Sequence, residues 1–157
     1  MTIFTVGYEG ATLEQFLERL HRTKVHLVVD VRDVPLSRKP GFSKTALSRA
    51  LELVGLQYLH IRELGCPKPI RDQYRADGNW EAYTRAFMVQ LRKQRLAIRD
   101  LAQMCTQSRA ALLCYEADPD QCHRTYVARA VAALLGQRVM HIGAEGAIRD
   151  RATAVAA

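Results

Sequence analysis

No run of about 18 consecutive apolar residues occurs anywhere in the chain, so no membrane-crossing helix is expected. There is also no basic, apolar, small-residue leader. The N-terminus opens directly on strand-like Thr2-Ile3-Phe4-Thr5-Val6, and the expected location is the cytoplasm. Internal repeats, linkers and low-complexity blocks are missing too, apart from a short Ala-rich tail. The reading is therefore one α/β domain over residues 1–150, with a frayed tail at 151–157.

Several motifs are equally absent. Gly7-Tyr8-Glu9-Gly10 is not a dinucleotide fingerprint, and neither a Walker-type loop nor a Gly-x-Ser-x-Gly elbow occurs, so no motif calls for a nucleotide cofactor. Cysteine is scarce: Cys66, Cys105, Cys114 and Cys122 include no Cys-x-x-Cys pair, and in a reducing compartment they should be free thiols. Neither Cys114 nor Cys122 precedes a glycine-rich anion cradle closed by an arginine, which argues against a thiol phosphatase.

What is present is an ordinary globular composition, 48% hydrophobic and 25% charged. A chain of 157 residues buries roughly 70% of its unfolded surface and needs no disulfide or metal to fold. The net charge of +7 favours an anionic partner, with nucleotides or nucleic acid foremost, although the basic residues are scattered.

Apolar periodicity orders the chain. Residues 3–6 read as a strand, and Thr12 caps a helix with Leu13, Phe16, Leu17 and Leu20 on one face. Residues 26–31 form a second strand whose Leu27-Val28-Val29 suggests burial on both faces. Ser43 caps a helix carrying Leu47, Leu51 and Val54, with Gly55 just past its end, and residues 56–61 are a third strand. Residues 62–79 read as irregular, and residues 80–107 as helical with a break near Gln94. Residues 110–115 are a fourth strand, Asp118-Pro119 opens a helix that runs to Leu135, and residues 138–142 close the pattern. The alternation predicts an open, mostly parallel five-stranded sheet with helices on both faces, a three-layer α/β/α domain.

Ligands of such sheets bind beyond the carboxyl ends of the strands. Those positions hold Tyr8 and Glu9; Asp30 and Arg32; His60; Cys114 and Glu116; and His141, a titratable mix that suggests one shared pocket. Cys122, near the start of a helix and beside His123 and Arg124, is placed for a lowered pKa, with Asp118 and Asp120 opposing. A metal at Cys114, Cys122 and His123 is the minor reading. The cysteine spacing is no knuckle, and neighbours on a helix diverge by about 100°. Arg32, Ser37, Arg38 and Arg124 could form an anion-binding rim. Tyr58, Tyr74, Trp80, Tyr83 and Phe87 could stack bases, although aromatics on helix faces more often belong to a core.

These residues resemble a known family. Thr5-Val6-Gly7-Tyr8-Glu9-Gly10, Asp30-Val31-Arg32 with Pro35-Leu36-Ser37-Arg38, Pro40-Gly41-Phe42-Ser43, Tyr58-Leu59-His60 with Leu64-Gly65, and Cys114-Tyr115-Glu116 through Cys122-His123-Arg124 look like the family called domain of unknown function 488. The resemblance implies a compact α/β domain with those polar positions as its shared site, and it brings no reaction with it. Leu64-Gly65-Cys66 stands where Leu-Gly-Gly is expected, which places an extra thiol near the pocket. Asp-Val-Arg is also similar to the second strand of rhodanese-like domains, but no tight donor-rich loop follows Cys114.

The leading expectation is an enzyme acting on a phosphate-bearing substrate, a nucleotide or a nucleic acid. Arg32, Arg38 and Arg124 would hold the anion, with Tyr8, Ser37 and His60 beside it. Glu9, Asp30 or Glu116 would be acid or base, and Cys122 with His123 thiolate and partner, with Cys114 adjacent. On this reading, Cys122→Ala or Arg32→Ala abolishes function and leaves the fold intact. The alternatives are thiol redox or sulfur transfer through Cys114 and Cys122, with Cys66 as a resolving thiol, and a non-catalytic nucleic-acid-binding domain whose affinity falls steeply with salt.

Overall fold

The apolar runs at residues 3–6, 27–29 and 110–113 have no polar face to offer water, so they stack as central strands buried on both sides. The computed structural model describes residues 1–152, and the expected tail falls mostly outside them. In chain order the elements are β1 (Thr2–Gly7), α1 (Leu13–Arg22), β2 (Leu27–Asp30), α2 (Lys44–Leu53), β3 (Gln57–His60), α3 (Lys68–Asp77), α4 (Trp80–Arg92), α5 (Arg95–Gln107), β4 (Ala110–Cys114), α6 (His123–Leu135), β5 (Arg138–Gly143) and β6 (Gly146–Arg149). The sheet order is β3-β2-β4-β1-β5-β6, with every pairing parallel except β5–β6.

The sheet thus has six strands, one more than expected. β6 is a four-residue antiparallel strand that turns back through Gly143 and Gly146, and it is too short to show an alternation of its own. Residues 62–79 are not irregular either. A 3-10 turn at Arg62–Leu64 leads into α3, where Pro67 caps and Pro69 sits in the first turn, positions that need no backbone N–H. No residue of α3 is fully buried, so it shows little apolar periodicity. The break expected near Gln94 separates α4 from α5.

α1 and α2 bury Phe16, Leu20, Leu47 and Leu51 on one face of the sheet, against Phe4, Val6, Val28 and Leu113. α4, α5 and α6 cover the other face, burying Phe87, Leu101, Val127 and Val131 against Ile3, Val29 and Leu112. β2 is followed by a helix on the first face that leads outward to β3. Its neighbour β4 is followed by a helix on the second face that leads the other way to β5. The chain therefore diverges between the carboxyl ends of β2 and β4, and a crevice opens there.

The far edge of the sheet is clipped by a polar network. Arg129 on α6 grips Asp150 through Nε (3.0 Å) and Nη2 (2.9 Å). His141 on β5 shares the carboxylate through Nε2 at 3.0 Å, and its Nδ1 lies 2.7 Å from the Thr5 hydroxyl. Burial opposes ionisation of Asp150, but Arg129 and His141 outweigh it and hold the carboxyl down at about 2. A carboxyl lowered on folding contributes stability above its ordinary value near 3.8 and loses it as pH falls through the folded value. Asp150→Asn should cost about 1–3 kcal/mol at neutral pH in urea unfolding. The gap to the wild type should close as pH falls from about 4 to about 2; a pH-independent gap would refute this account.

Candidate functional site

The end of β2 builds the first wall of the crevice. Asp30 is fully buried, and its carboxylate accepts from Arg32 Nε (2.8 Å), Arg32 Nη2 (2.6 Å), the Arg32 amide (3.1 Å) and the Tyr58 hydroxyl (2.5 Å). Arg32 Nη1 donates to the Tyr8 hydroxyl (3.0 Å) and to the Phe42 carbonyl (2.7 Å). Burial works against the guanidinium charge, yet Asp30 holds Arg32 above its ordinary pKa. Burial and Asp30 push the Tyr58 phenol up. Tyr8 stacks on Phe42 with centroids 4.5 Å apart, which ties β1 to the loop before α2.

Backbone carbonyls of the same tripeptide orient two histidines. Val31 O accepts from His123 Nε2 at 2.7 Å, and Arg32 O accepts from His60 Nε2 at 2.7 Å. Because a carbonyl only accepts, Nε2 carries the proton in both rings, leaving Nδ1 of neutral His123 with a free lone pair. That Nδ1 lies 3.8 Å from Cys114 Sγ.

The second wall is the connection from β4 to α6. The helix expected to follow an Asp118 cap begins four residues later. Asp118 caps a 3-10 turn at Pro119–Gln121, and Cys122 is the N-cap of α6 with extended backbone (φ −142°, ψ 136°). Cys122 and His123 are therefore not helical neighbours, and their side chains do not diverge. The Cys114, Cys122 and His123 ligand atoms all lie within 4.8 Å of one another, and all three residues are buried. Burial opposes ionisation of Cys122, but a hydrogen bond from Cys114 and the nearby Arg124 and His123 hold its thiol well below the ordinary range. Cys114, as donor in that bond and also buried, is raised. Burial and the neighbouring Cys122 push the Glu116 carboxyl up to about 7, and its Oε2 is buried without a hydrogen-bond partner.

Between the walls lies a cavity of roughly 650 Å³ lined by Tyr8, Arg32, Ser37, Arg38, Cys114, Glu116 and His123 among the expected residues. Cys122 does not line it, but its sulfur lies within 4.8 Å of the Cys114 and His123 ligand atoms, which belong to lining residues. Five expected residues fall elsewhere, among them His141, which sits in the far-edge network with Thr5 and Asp150. Arg124 is buried, and its donors go to the Thr5 hydroxyl and to the carbonyls of Glu116 and Ala117. Asp30 lies behind Arg32 with all four of its bonds internal, and half-buried His60 is held by Arg32 O. Glu9 is exposed and accepts from the Ala117 amide at 3.0 Å. Gly7 allows this crowding, because a Cβ there would fall 1.9 Å from the Glu116 carbonyl oxygen.

α3 supplies residues that the sequence reading missed. Arg71 and Arg75, one turn apart, line the cavity with Tyr74, beside Trp80 and Tyr83 of α4. Arg71 Nη2 donates to Asp33 at 3.1 Å, while its Nε is buried and unpartnered. The available signal was Arg71, Tyr74 and Arg75 at i, i+3 and i+4, which share a helix face. Cys66 also lines the cavity, and burial pushes its thiol up to about 11.

A model of the family described as Domain of unknown function DUF488 matches residues 12–131. No curated protein and no solved structure matches the chain.

Arg32→Ala is expected to damage folding, contrary to the sequence expectation, because it strands the buried Asp30 carboxylate. The cost should be about 3–5 kcal/mol in urea unfolding, with most of it recovered in Asp30→Asn/Arg32→Met. An Arg32→Ala chain of wild-type stability would show that this pair is not a structural element.

Proposed function

We propose that this chain, which belongs to the family described as domain of unknown function DUF488, is an enzyme acting on a phosphate-bearing substrate, a nucleotide or a nucleic-acid strand, held between the ends of β2 and β4. The observation that carries the reading is a buried donor and a buried acceptor left without partners, Arg71 Nε and Glu116 Oε2, on side chains lining one cavity. Leaving such groups unmatched costs about 1–3 kcal/mol each, and a ligand that accepts from Arg71 and donates to Glu116 removes that cost.

The rest of the lining suits the same ligand. Arg38 and Arg75 add positive charge beside Arg71, and an arginine fork matches a phosphate. Tyr74, Trp80 and the exposed Tyr115 supply flat apolar surface on which a base can stack. A carboxyl near 7 can both give and take a proton at neutral pH, so Glu116 is the acid or base of this reading. Cys114, Cys122 and His123 form its reactive floor.

Calorimetry with nucleoside mono-, di- and triphosphates and short oligonucleotides tests the proposal. At least one should bind, and Arg71→Ala should weaken it about 10- to 100-fold with an unchanged circular dichroism spectrum. No binding by any of them at low salt rejects the reading. Binding that depends steeply on salt with no turnover of any member favours a non-catalytic nucleic-acid domain.

Thiol redox or sulfur transfer has separate support in the Cys114 and Cys122 sulfurs lying within 4.8 Å of one another and in Cys66 on the cavity. On that reading mild oxidant or a sulfur donor should leave a disulfide or persulfide on these residues by mass spectrometry. Native thiols that stay unmodified would exclude it.

A further inference from the structure

The floor of the cavity holds more acceptors than donors. In the neutral ring, Nδ1 of His123 faces the Cys114 sulfur with a lone pair, because Nε2 is committed to the Val31 carbonyl. Glu116 Oε2 is buried beside them with no partner. Any S–H left on the two sulfurs is only a weak donor. The other buried histidine cluster, Thr5–His141–Asp150–Arg129, is mutually satisfied by contrast, with each ring nitrogen on a partner at 2.7–3.0 Å.

We propose that Cys114 Sγ, Cys122 Sγ and His123 Nδ1 ligate a zinc ion whose fourth position opens to the cavity. The inference deepens the proposed enzyme and rests on the same floor, but not on the identity of the substrate. Ligand atoms on a tetrahedral zinc, with Zn–S about 2.3 Å and Zn–N about 2.0 Å, lie about 3.5–3.8 Å apart. Cys114 Sγ and His123 Nδ1 are 3.8 Å apart, and no pair in the cluster exceeds 4.8 Å. An ion at the centre therefore requires only small side-chain rotations.

Three further features fit a metal. Two thiols and an imidazole are a soft donor set that selects zinc over magnesium or calcium. A ligating histidine normally donates its other ring N–H to a carbonyl or carboxylate, as His123 does to Val31. Three protein ligands with an open side are the pattern of a catalytic zinc, and a closed structural site uses four. Cys114 and His123 both line the cavity, so the open position faces it.

The chemistry balances simply. Zinc binding leaves both sulfurs as thiolates, any proton still held by Cys114, Cys122 or His123 Nδ1 passes to solvent, and the two thiolates cancel the charge of the ion. The fourth position then takes a water or a substrate oxygen, polarised by the ion. Glu116 Oε2 is placed to accept a hydrogen bond from that water, which would give the unpartnered oxygen its donor.

The test uses the full chain, expressed with zinc in the medium and purified without chelator, followed by elemental analysis. About one zinc per chain is expected. After stripping and reloading with cobalt, the protein should show tetrahedral d–d bands and a thiolate-to-cobalt charge-transfer band. Cys114→Ser and Cys122→Ser should each lower retained zinc at least about tenfold, while Cys105→Ser on α5 retains it fully. Should the serine variants fail to fold, the charge-transfer band of the wild type decides, because it requires thiolate ligation. A folded wild type that takes up neither ion, or serine variants with full metal content, would overturn the proposal. Zinc found without binding of any nucleotide would sink the substrate reading alone; nucleotide binding without zinc would sink this one alone.

Discussion

The buried pair of Asp30 and Arg32 organises the end of the sheet at which the strands' carboxyl termini meet the cavity. A carboxylate and a guanidinium taken out of water are tolerable only when their hydrogen-bonding capacity is met, and here nearly all of it is. Tyr58 of β3, Tyr8 after β1 and the Phe42 carbonyl before α2 are all drawn to this pair. The carbonyls of Val31 and Arg32, held in place by it, in turn set the orientation and tautomer of His123 and His60. One tripeptide at a strand end thus fixes groups contributed by four other segments.

The same economy explains the division between scaffold and cavity. Arg124 and Asp30 sit behind the cavity wall, holding the β4–α6 connection and Arg32 in position, so charge in the sequence is not charge offered to a ligand. The groups that are offered, Arg71, Glu116 and the sulfur–imidazole floor, are those whose bonding is incomplete. It is this unspent hydrogen-bonding capacity, more than charge, on which the proposed site rests.

Much of the fold was legible because buried strands and amphipathic helices carry their periodicity in the chain. The runs at Leu27-Val28-Val29 and Ala110-Ala111-Leu112-Leu113 identify themselves, and so does the Leu13, Phe16, Leu20 stripe of α1. α3 and β6 were not legible for a common reason: an element that buries little of its own surface leaves no apolar pattern. Arg71 and Arg75 belong to α3 and share its lack of an apolar pattern, so nothing local marks them as cavity residues.

By itself the sequence determined the parallel α/β alternation, the strand ends as the place to look, and Cys114, Glu116 and His123 as groups of interest there. Only the tertiary structure decided which of the polar residues face the cavity. Arg32, Arg71 and Arg124 are the same side chain chemically, and they differ only in what surrounds each guanidinium. It also decided that Cys122 caps α6 in an extended conformation, so that its sulfur approaches Cys114 and His123. Side-chain partners come from segments up to 136 residues apart, as between Thr5 and His141. No local pattern encodes them, because burial and hydrogen-bond satisfaction are properties of the packed whole.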